Sequence, residues 1–358
     1  MRFGFVLTNL AAGGAEKAVL KVSAGLVERG HRVDVVLLEH VVTHEVPPGV
    51  TVHGLTANGQ ATHKGWLGKR LAARRLAGRI ETLQREAPFR ILISTLPFAD
   101  EVAQLAAIPM HWCRIANTLS AEVARLAPEK AERRMARYRQ LYGSRPLIAV
   151  SRGVAEDLRG PCGIAGRIEV IPNPFDVPEM KRLAASRADL PPRPYVIHVG
   201  RFSGQKRHDL LLDAFARSGV EEDLVLLADP DPALERLVAE RGLGARVRIA
   251  GFQQNPYPWI AAARLLVLSS DHEGLPNVLI EALALGVPVV STDCPSGPRE
   301  ILGAALPGQL VPTGDAPALA AAMARSLAAP PDVSRVDLSA YRKEQVLAAY
   351  ERLAAGSA

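Results

Sequence analysis

The chain has few of the residues that anchor several common chemistries. It holds three cysteines in 358 residues (Cys113, Cys162 and Cys294), far apart and in no CxxC pair. That excludes a disulfide framework and a cysteine-built zinc site, and predicts free thiols in a reducing compartment. The nine histidines show no HEXXH spacing, so the zinc-binding helix of that motif is missing too. There is no Walker loop, GxxxxGK[ST], and no GxSxG nucleophile elbow. Gly13 and Gly14 are adjacent, and no glycine follows at the spacing of GxGxxG, which disfavours NAD. No run of about 18 apolar residues exists, so no membrane span is expected. The first apolar run, Phe3 to Leu7, is too short for a secretory signal and reads as a strand. Aromatics make up 5% of the chain; Ala, Val and Leu fill the apolar positions, which suits buried α/β layers.

Strand and helix patterns alternate along the chain. Residues 3–10 read as a strand, Gly13-Gly14 as its turn, Glu16 to Gly30 as an amphipathic helix, and Arg32–Leu38 as a second strand. Short strands follow at 90–95, 112–116, 147–151 and 168–172. Residues 176–194 are rich in Pro and charge and read as a linker. A second series opens at Tyr195–Gly200. The expected architecture is α/β, with two doubly wound, Rossmann-like domains at 1–175 and 195–337 and a terminal helix at 338–356. The ligand is expected where the C-terminal strand ends of both domains face each other.

The chemistry concentrates in Ser269 to Pro288. An apolar strand ends there, His272 to Pro276 turns, and a helix begins, with Pro276 at its first position and Gly286 at its exit. A helix start at a parallel strand's C-terminal end favours phosphate. Glu273 in the loop and Glu281 on the helix cannot bind phosphate, so they are expected to accept hydrogen bonds from hydroxyls. Asn277 shares a face with Glu281. Arg201 and Lys206, in the loop after Tyr195–Gly200, can hold a diphosphate and stabilise it on departure. The alternative for all four charges is ordinary surface polarity. Asp229-Pro230-Asp231 spells DxD, but Asp231 before Pro232 reads as a helix N-cap, and no metal is expected.

Net charge is +6, and the excess is local. Lys64 to Arg79 contains no acid. Trp66, Leu67, Leu71 and Leu76 interleave there with Lys64, Lys69, Arg70, Arg74, Arg75 and Arg79. This predicts a basic amphipathic helix on an anionic membrane leaflet. Nucleic acid is the rival partner, but phosphate-binding and hydroxyl-binding groups in one place argue against it.

Several motifs, in order, carry a resemblance: Gly13-Gly14-Ala15-Glu16, Ser151-Arg152-Gly153-Val154, Ile171-Pro172-Asn173-Pro174, Val199-Gly200-Arg201 with Lys206, and Glu273-Gly274-Leu275-Pro276 through Glu281. The chain resembles the GT-B glycosyltransferases of family 4 nearly end to end, and the last motif is that family's E-x7-E signature. The resemblance implies a retaining, metal-independent hexosyltransferase without a cofactor. Its co-substrate is a nucleotide sugar, most often UDP-linked, and its acceptor a glycan or lipid-linked sugar of a surface polysaccharide. The implied location is cytoplasmic, peripheral on the inner face of the membrane. The resemblance implies that Arg201 and Lys206 bind the donor diphosphate, Glu281 the ribose and Glu273 the donor sugar. Gly274, Leu275, Asn277, Asn173, Gly13 and Gly14 complete the donor set. The terminal helix is implied to cross back onto the first domain. Asn117 aligns where many members have His, and Asn cannot be a base, so it is expected to position donor sugar or acceptor. An epimerase of the same plan is the rival enzyme.

Overall fold

In a computed structural model, which describes residues 1–11 and 13–356, the chain forms two units, Met1–Pro174 with Lys343–Ala358, and Phe175–Arg342. The first unit's strands are β1 (Arg2–Leu7), β2 (Arg32–Leu37), β3 (Val50–Gly54), β4 (Ile91–Thr95), β5 (His111–Ile115), β6 (Leu147–Ala149) and β7 (Ile168–Val170). They pair in parallel in the order β3-β2-β1-β4-β5-β6-β7. Between them run α1 (Gly14–Glu28), α2 (Trp66–Glu86), α3 (Pro97–Leu105), α4 (Leu119–Ala124), α5 (Pro128–Tyr142) and α6 (Arg152–Arg159). Every residue of β1 is buried, as a parallel strand covered on both faces must be. The periodic Val19, Val22 and Leu26 of α1 pack against Phe3, Phe5 and Val35 of the sheet.

The second unit repeats the plan. Its strands are β8 (Tyr195–Val199), β9 (Asp223–Leu227), β10 (Val247–Ile249), β11 (Leu265–Leu268), β12 (Val289–Thr292) and β13 (Leu310–Val311), parallel in the order β10-β9-β8-β11-β12-β13. Its helices are α7 (Val177–Ala184), α8 (His208–Ser218), α9 (Pro232–Glu240), α10 (Tyr257–Ala261), α11 (Asn277–Ala284), α12 (Pro298–Leu302) and α13 (Ala316–Ala328). In both sheets the strand order reverses once, between β1 and β4 and between β8 and β11. In open α/β sheets that reversal is where ligands bind.

Three expectations need correction. The segment 176–194 is not a plain linker. Asp176 caps α7, its side chain accepting from Glu179 N at 3.1 Å, and Pro178 fits the first turn, so the proline and acid that suggested a linker start a helix. That helix packs on α10 inside the second unit. Second, β3 is an unforeseen edge strand; its half-exposed residues lack the apolar run that marks the others. Third, the terminal helix, α14, spans Lys343–Ala355, not 338–356, because Ser339–Tyr341 forms a separate 3-10 turn.

The return of the chain to the first unit is built into the core. Leu347 and Tyr350 of α14 are buried with Leu26 and Val22. A Cβ on Gly25 of α1 would lie 2.5 Å from Leu347 Cδ1, so a larger residue there would have to push the Leu347 side chain aside.

Candidate functional site

The loops that follow β8 and β11, the two strands flanking the second unit's reversal, are bonded into one surface. Asp271 N donates to Gln205 O at 2.9 Å, and Gln205 Nε2 returns to His272 O at 2.7 Å. Ser269 Oγ donates to Lys206 O at 2.7 Å. Arg207, held in a left-handed conformation at φ 49°, pairs with Asp271 at 2.9 Å and with Asp209. These bonds fix Lys206 at the sheet's C-terminal edge.

Lys206 Nζ donates to Glu273 Oε1 at 2.6 Å, and Ser270 Oγ donates to the same oxygen at 2.6 Å. Glu273 is 8% exposed and Lys206 20%, so the pair is shielded but reachable. An ammonium has three donors, and two remain for a phosphate. Thr292 Oγ1 of β12 anchors Ser270 O at 2.6 Å, and Glu273 N donates to Pro295 O at 3.1 Å. The expectation treated cation and carboxylate as separate binders; they meet directly. Arg201 in the same loop is exposed and makes no ion pair among the described residues.

Pro276 is the N-cap of α11, not its first residue; Asn277 opens the helix, with the buried Glu281 one turn on. Gly274 and Leu275 are buried in the turn before it. Gly297 secures this corner. Its φ is 102°, and a Cβ there would stand 2.2 Å from Pro276 Cδ. His198 on β8 and His208 on α8 are buried edge to face, ring centres 4.7 Å apart. His198 Nδ1 donates to Val267 O at 2.9 Å. Burial and the nearby Lys206 charge hold both imidazoles well below their ordinary range, His208 at about 4. Lysine thus faces two neutral rings instead of two more cations. The sequence reading missed Ser269, Ser270, Thr292 and this His pair; two serines directly before an acid at a strand end were the available signal.

In the first unit, Gly13 is the N-cap of α1 in extended backbone, and Gly14 starts the helix. A Cβ at Gly14 would touch nothing within 4 Å, so the protein's own packing does not demand glycine there. Asn117 Nδ2 donates to Glu122 Oε1 at 2.6 Å, and its Oδ1 accepts from Thr118 N at 3.0 Å. Both ends of the amide are thus used to hold α4, though each keeps capacity for one more bond. Burial raises the Glu122 carboxyl above the usual range, against the bonds from Asn117 and Tyr138. Asn173 is buried and its Oδ1 accepts from the Arg114 guanidinium.

The cations of α2, with Lys64 just before it, divide. Lys64, Arg70, Arg74, Arg75 and Arg79 are exposed, and so are Trp66 at 66%, Leu67 at 74% and Leu71 at 50%. Lys69 is not on that face. It is 15% exposed and bonds Glu101 of α3 at 2.9 Å, because its helical position turns it toward the neighbouring helix. Leu76 likewise belongs to the core. Among the described residues no helix is long and apolar enough to cross a membrane, and no group of three His, Cys, Asp or Glu is placed to hold a metal. In the DxD-like turn, Asp231 caps α9 by accepting from Ala233 N at 2.8 Å.

Residues 12–179 match the family model Glycosyltransferase Family 4, and residues 193–329 match Glycosyl transferases group 1. The N-acetylgalactosamine-N,N'-diacetylbacillosaminyl-diphospho-undecaprenol 4-alpha-N-acetylgalactosaminyltransferase of Campylobacter jejuni is 35% identical over 167 residues, 46% of each chain. The lipopolysaccharide core biosynthesis glycosyltransferase LpsE of Rhizobium meliloti is 34% identical over 186 residues, 51% of this chain and 54% of that one. The chain thus spans about half the length of such curated relatives. Anabaena HepE in complex with UDP superposes with a TM-score of 0.72 at 19% identity, covering 99% of this chain and 100% of that one. That likeness shows the fold, GT-B.

Proposed function

The chain belongs to glycosyltransferase family 4, and from that membership we propose that it moves a hexose or N-acetylhexosamine from a UDP-linked donor to a glycan or lipid-linked acceptor of a cell-surface polysaccharide or glycolipid. The observation that carries this is the Lys206–Glu273 contact at the sheet reversal, with Arg201 in the same loop. A cation and an acid in touch suit a donor that joins a diphosphate to a sugar. Arg201 and Lys206 grip the diphosphate and neutralise it as it leaves, without a metal. Glu273 accepts from the sugar's hydroxyls, and Glu281, beside Asn277, from the ribose. Gly13, Gly14, Gly274, Leu275 and Asn173 line the donor, and Asn117 positions the acceptor or the sugar. The configuration at the sugar is retained by front-face displacement, in which the departing diphosphate takes the acceptor hydroxyl's proton; positioning and charge stabilisation supply the rate. The relatives' names support the acceptor class, since one is named for a diphospho-undecaprenol substrate. The outward face of α2, four arginines with Trp66, Leu67 and Leu71, seats the protein on the anionic inner leaflet of the cytoplasmic membrane.

A thermal-shift panel of UDP-, GDP- and ADP-sugars, followed by product analysis with lipid-extract acceptors, tests the reading. UDP-sugars are expected to stabilise most, and UDP release to require acceptor. Stabilisation by none of them, or isomerised sugar formed without acceptor, refutes it.

A further inference from the structure

The first unit holds a cationic cavity that the transfer chemistry does not use. It measures about 220 Å³ and is lined by Lys64, Lys69, Arg134 and Arg137, with Phe98 and Tyr138 among its apolar walls. It lies where the starts of α2 and α3 meet α5. Small-molecule sites run to roughly 300–1,000 Å³, so this space suits a headgroup but not a nucleotide sugar. One carboxylate, Glu101, serves two of the four cations. It accepts from Lys69 at 2.9 Å and from Arg137, and those two bonds hold it below the ordinary carboxylate range against the burial that raises it. Lys64 and Arg134 have no salt bridge among the described residues; Arg134 overlies the Tyr138 ring at 5.9 Å, bonds the Tyr138 side chain and lies near enough to Glu122 to favour its charged form. A cavity with more cations than acids selects an anion, and guanidinium forks beside ammonium groups match phosphate oxygens.

The surroundings say what the phosphate is attached to. Trp66 and Leu67 lie in the chain between Lys64 and Lys69, and both are largely exposed, as is Leu71 one turn on. Aromatic and leucine side chains in water next to a phosphate-sized cationic cavity fit a ligand with one charged end and one oily end. We propose that this cavity binds the phosphate monoester headgroup of a lipid, with the acyl or prenyl portion against Trp66, Leu67 and Leu71. The site is formed within the first unit alone and requires no donor.

Dihexanoyl phosphatidic acid, kept below its micelle concentration, is the probe, with inorganic phosphate as the second arm, both by isothermal titration on the full chain. The lipid phosphate is expected to bind at least about tenfold more tightly than inorganic phosphate, and Lys64→Glu/Arg134→Glu to lose about tenfold or more. Neither residue makes a salt bridge, but Arg134→Glu loses the bond to Tyr138 and sets a second acid near Glu122, so a thermal melt checks the fold, and Lys64→Gln/Arg134→Gln repeats the test without the added charge. Arg217→Glu/Arg236→Glu, an equal charge change on the second unit, is expected to bind as the parent does. Equal affinity for inorganic phosphate overturns the lipid source and leaves a free-anion pocket. Absence of binding, unchanged binding by both pocket variants, or equal loss in the second-unit variant overturns the site itself. Each readout is binding, so failure here is distinct from failure of sugar transfer.

Discussion

Lys206 and Glu273 stand 67 residues apart in the chain and touch at 2.6 Å, with Ser270 bonded to the same carboxylate oxygen. The acid therefore orients the ammonium before any phosphate arrives. If Lys206 stabilises the leaving diphosphate, Lys206→Ala lowers kcat far more than donor affinity, by about 2–4 kcal/mol in the barrier. Steady-state kinetics with a calorimetric donor Kd decide it; equal losses in both rule out the leaving-group role.

Ser270 matters only through Glu273. Ser270→Ala removes a hydroxyl donor from a shielded carboxylate and is expected to cost about 1–2 kcal/mol of stability in a urea titration. Donor KM should rise more than kcat falls, because the carboxylate is misplaced and not lost. An unchanged KM would mean that the lysine alone sets the position of Glu273.

Gly297 makes a backbone prediction. With φ at 102° and Pro276 Cδ only 2.2 Å from any added Cβ, Gly297→Ala must move the turn that starts α11. The expected loss is about 2–4 kcal/mol in thermal stability, with a smaller donor-induced shift. A melt like the parent's contradicts this reading of the corner.

A buried network in the first unit predicts a pH dependence. Asp100 accepts from Ser94 Oγ, and from Tyr142 OH at 2.8 Å, while Ser94 Oγ lies 2.7 Å from His111 Nε2. Burial pushes the Asp100 carboxyl up to about 7, against those two bonds. A carboxyl raised on folding contributes fully below its unfolded value and loses that contribution as pH climbs to about 7. Asp100→Asn is expected to remove this fall, worth up to about 4 kcal/mol between pH 4 and pH 7. His111, driven down to about 3 by burial, then Arg145, acts in the opposite sense below pH 6.5 and persists in the variant. Urea titrations of both proteins across that range should diverge; parallel curves would place the Asp100 proton elsewhere.

Much of this was legible in the sequence. β1, β8 and β11 read as strands because parallel strands buried on both faces are mostly apolar, and charges after such strands fall at the sheet's binding edge. The Lys206–Glu273 bond was not legible, since nothing local links residues so far apart. Lys69 was misread because basic residues on a helix were assigned to one face, whereas its angular position faces Glu101 on α3. Asp176 and Pro178 were misread because the signals that start a helix are also those that fill a linker. β3 carried too little apolar sequence to announce itself.

The docking of α14 on α1 has a consequence for biosynthesis. The strands of the first unit leave the ribosome before those of the second, yet Val346, Leu347 and Tyr350, which complete its core, are translated only after the second unit. The second unit, Phe175–Arg342, is fully synthesised before they emerge. The unit begun first is therefore completed after the other, and a stop codon just before Lys343 leaves it with an open apolar groove along α1, a target for chaperones and proteases.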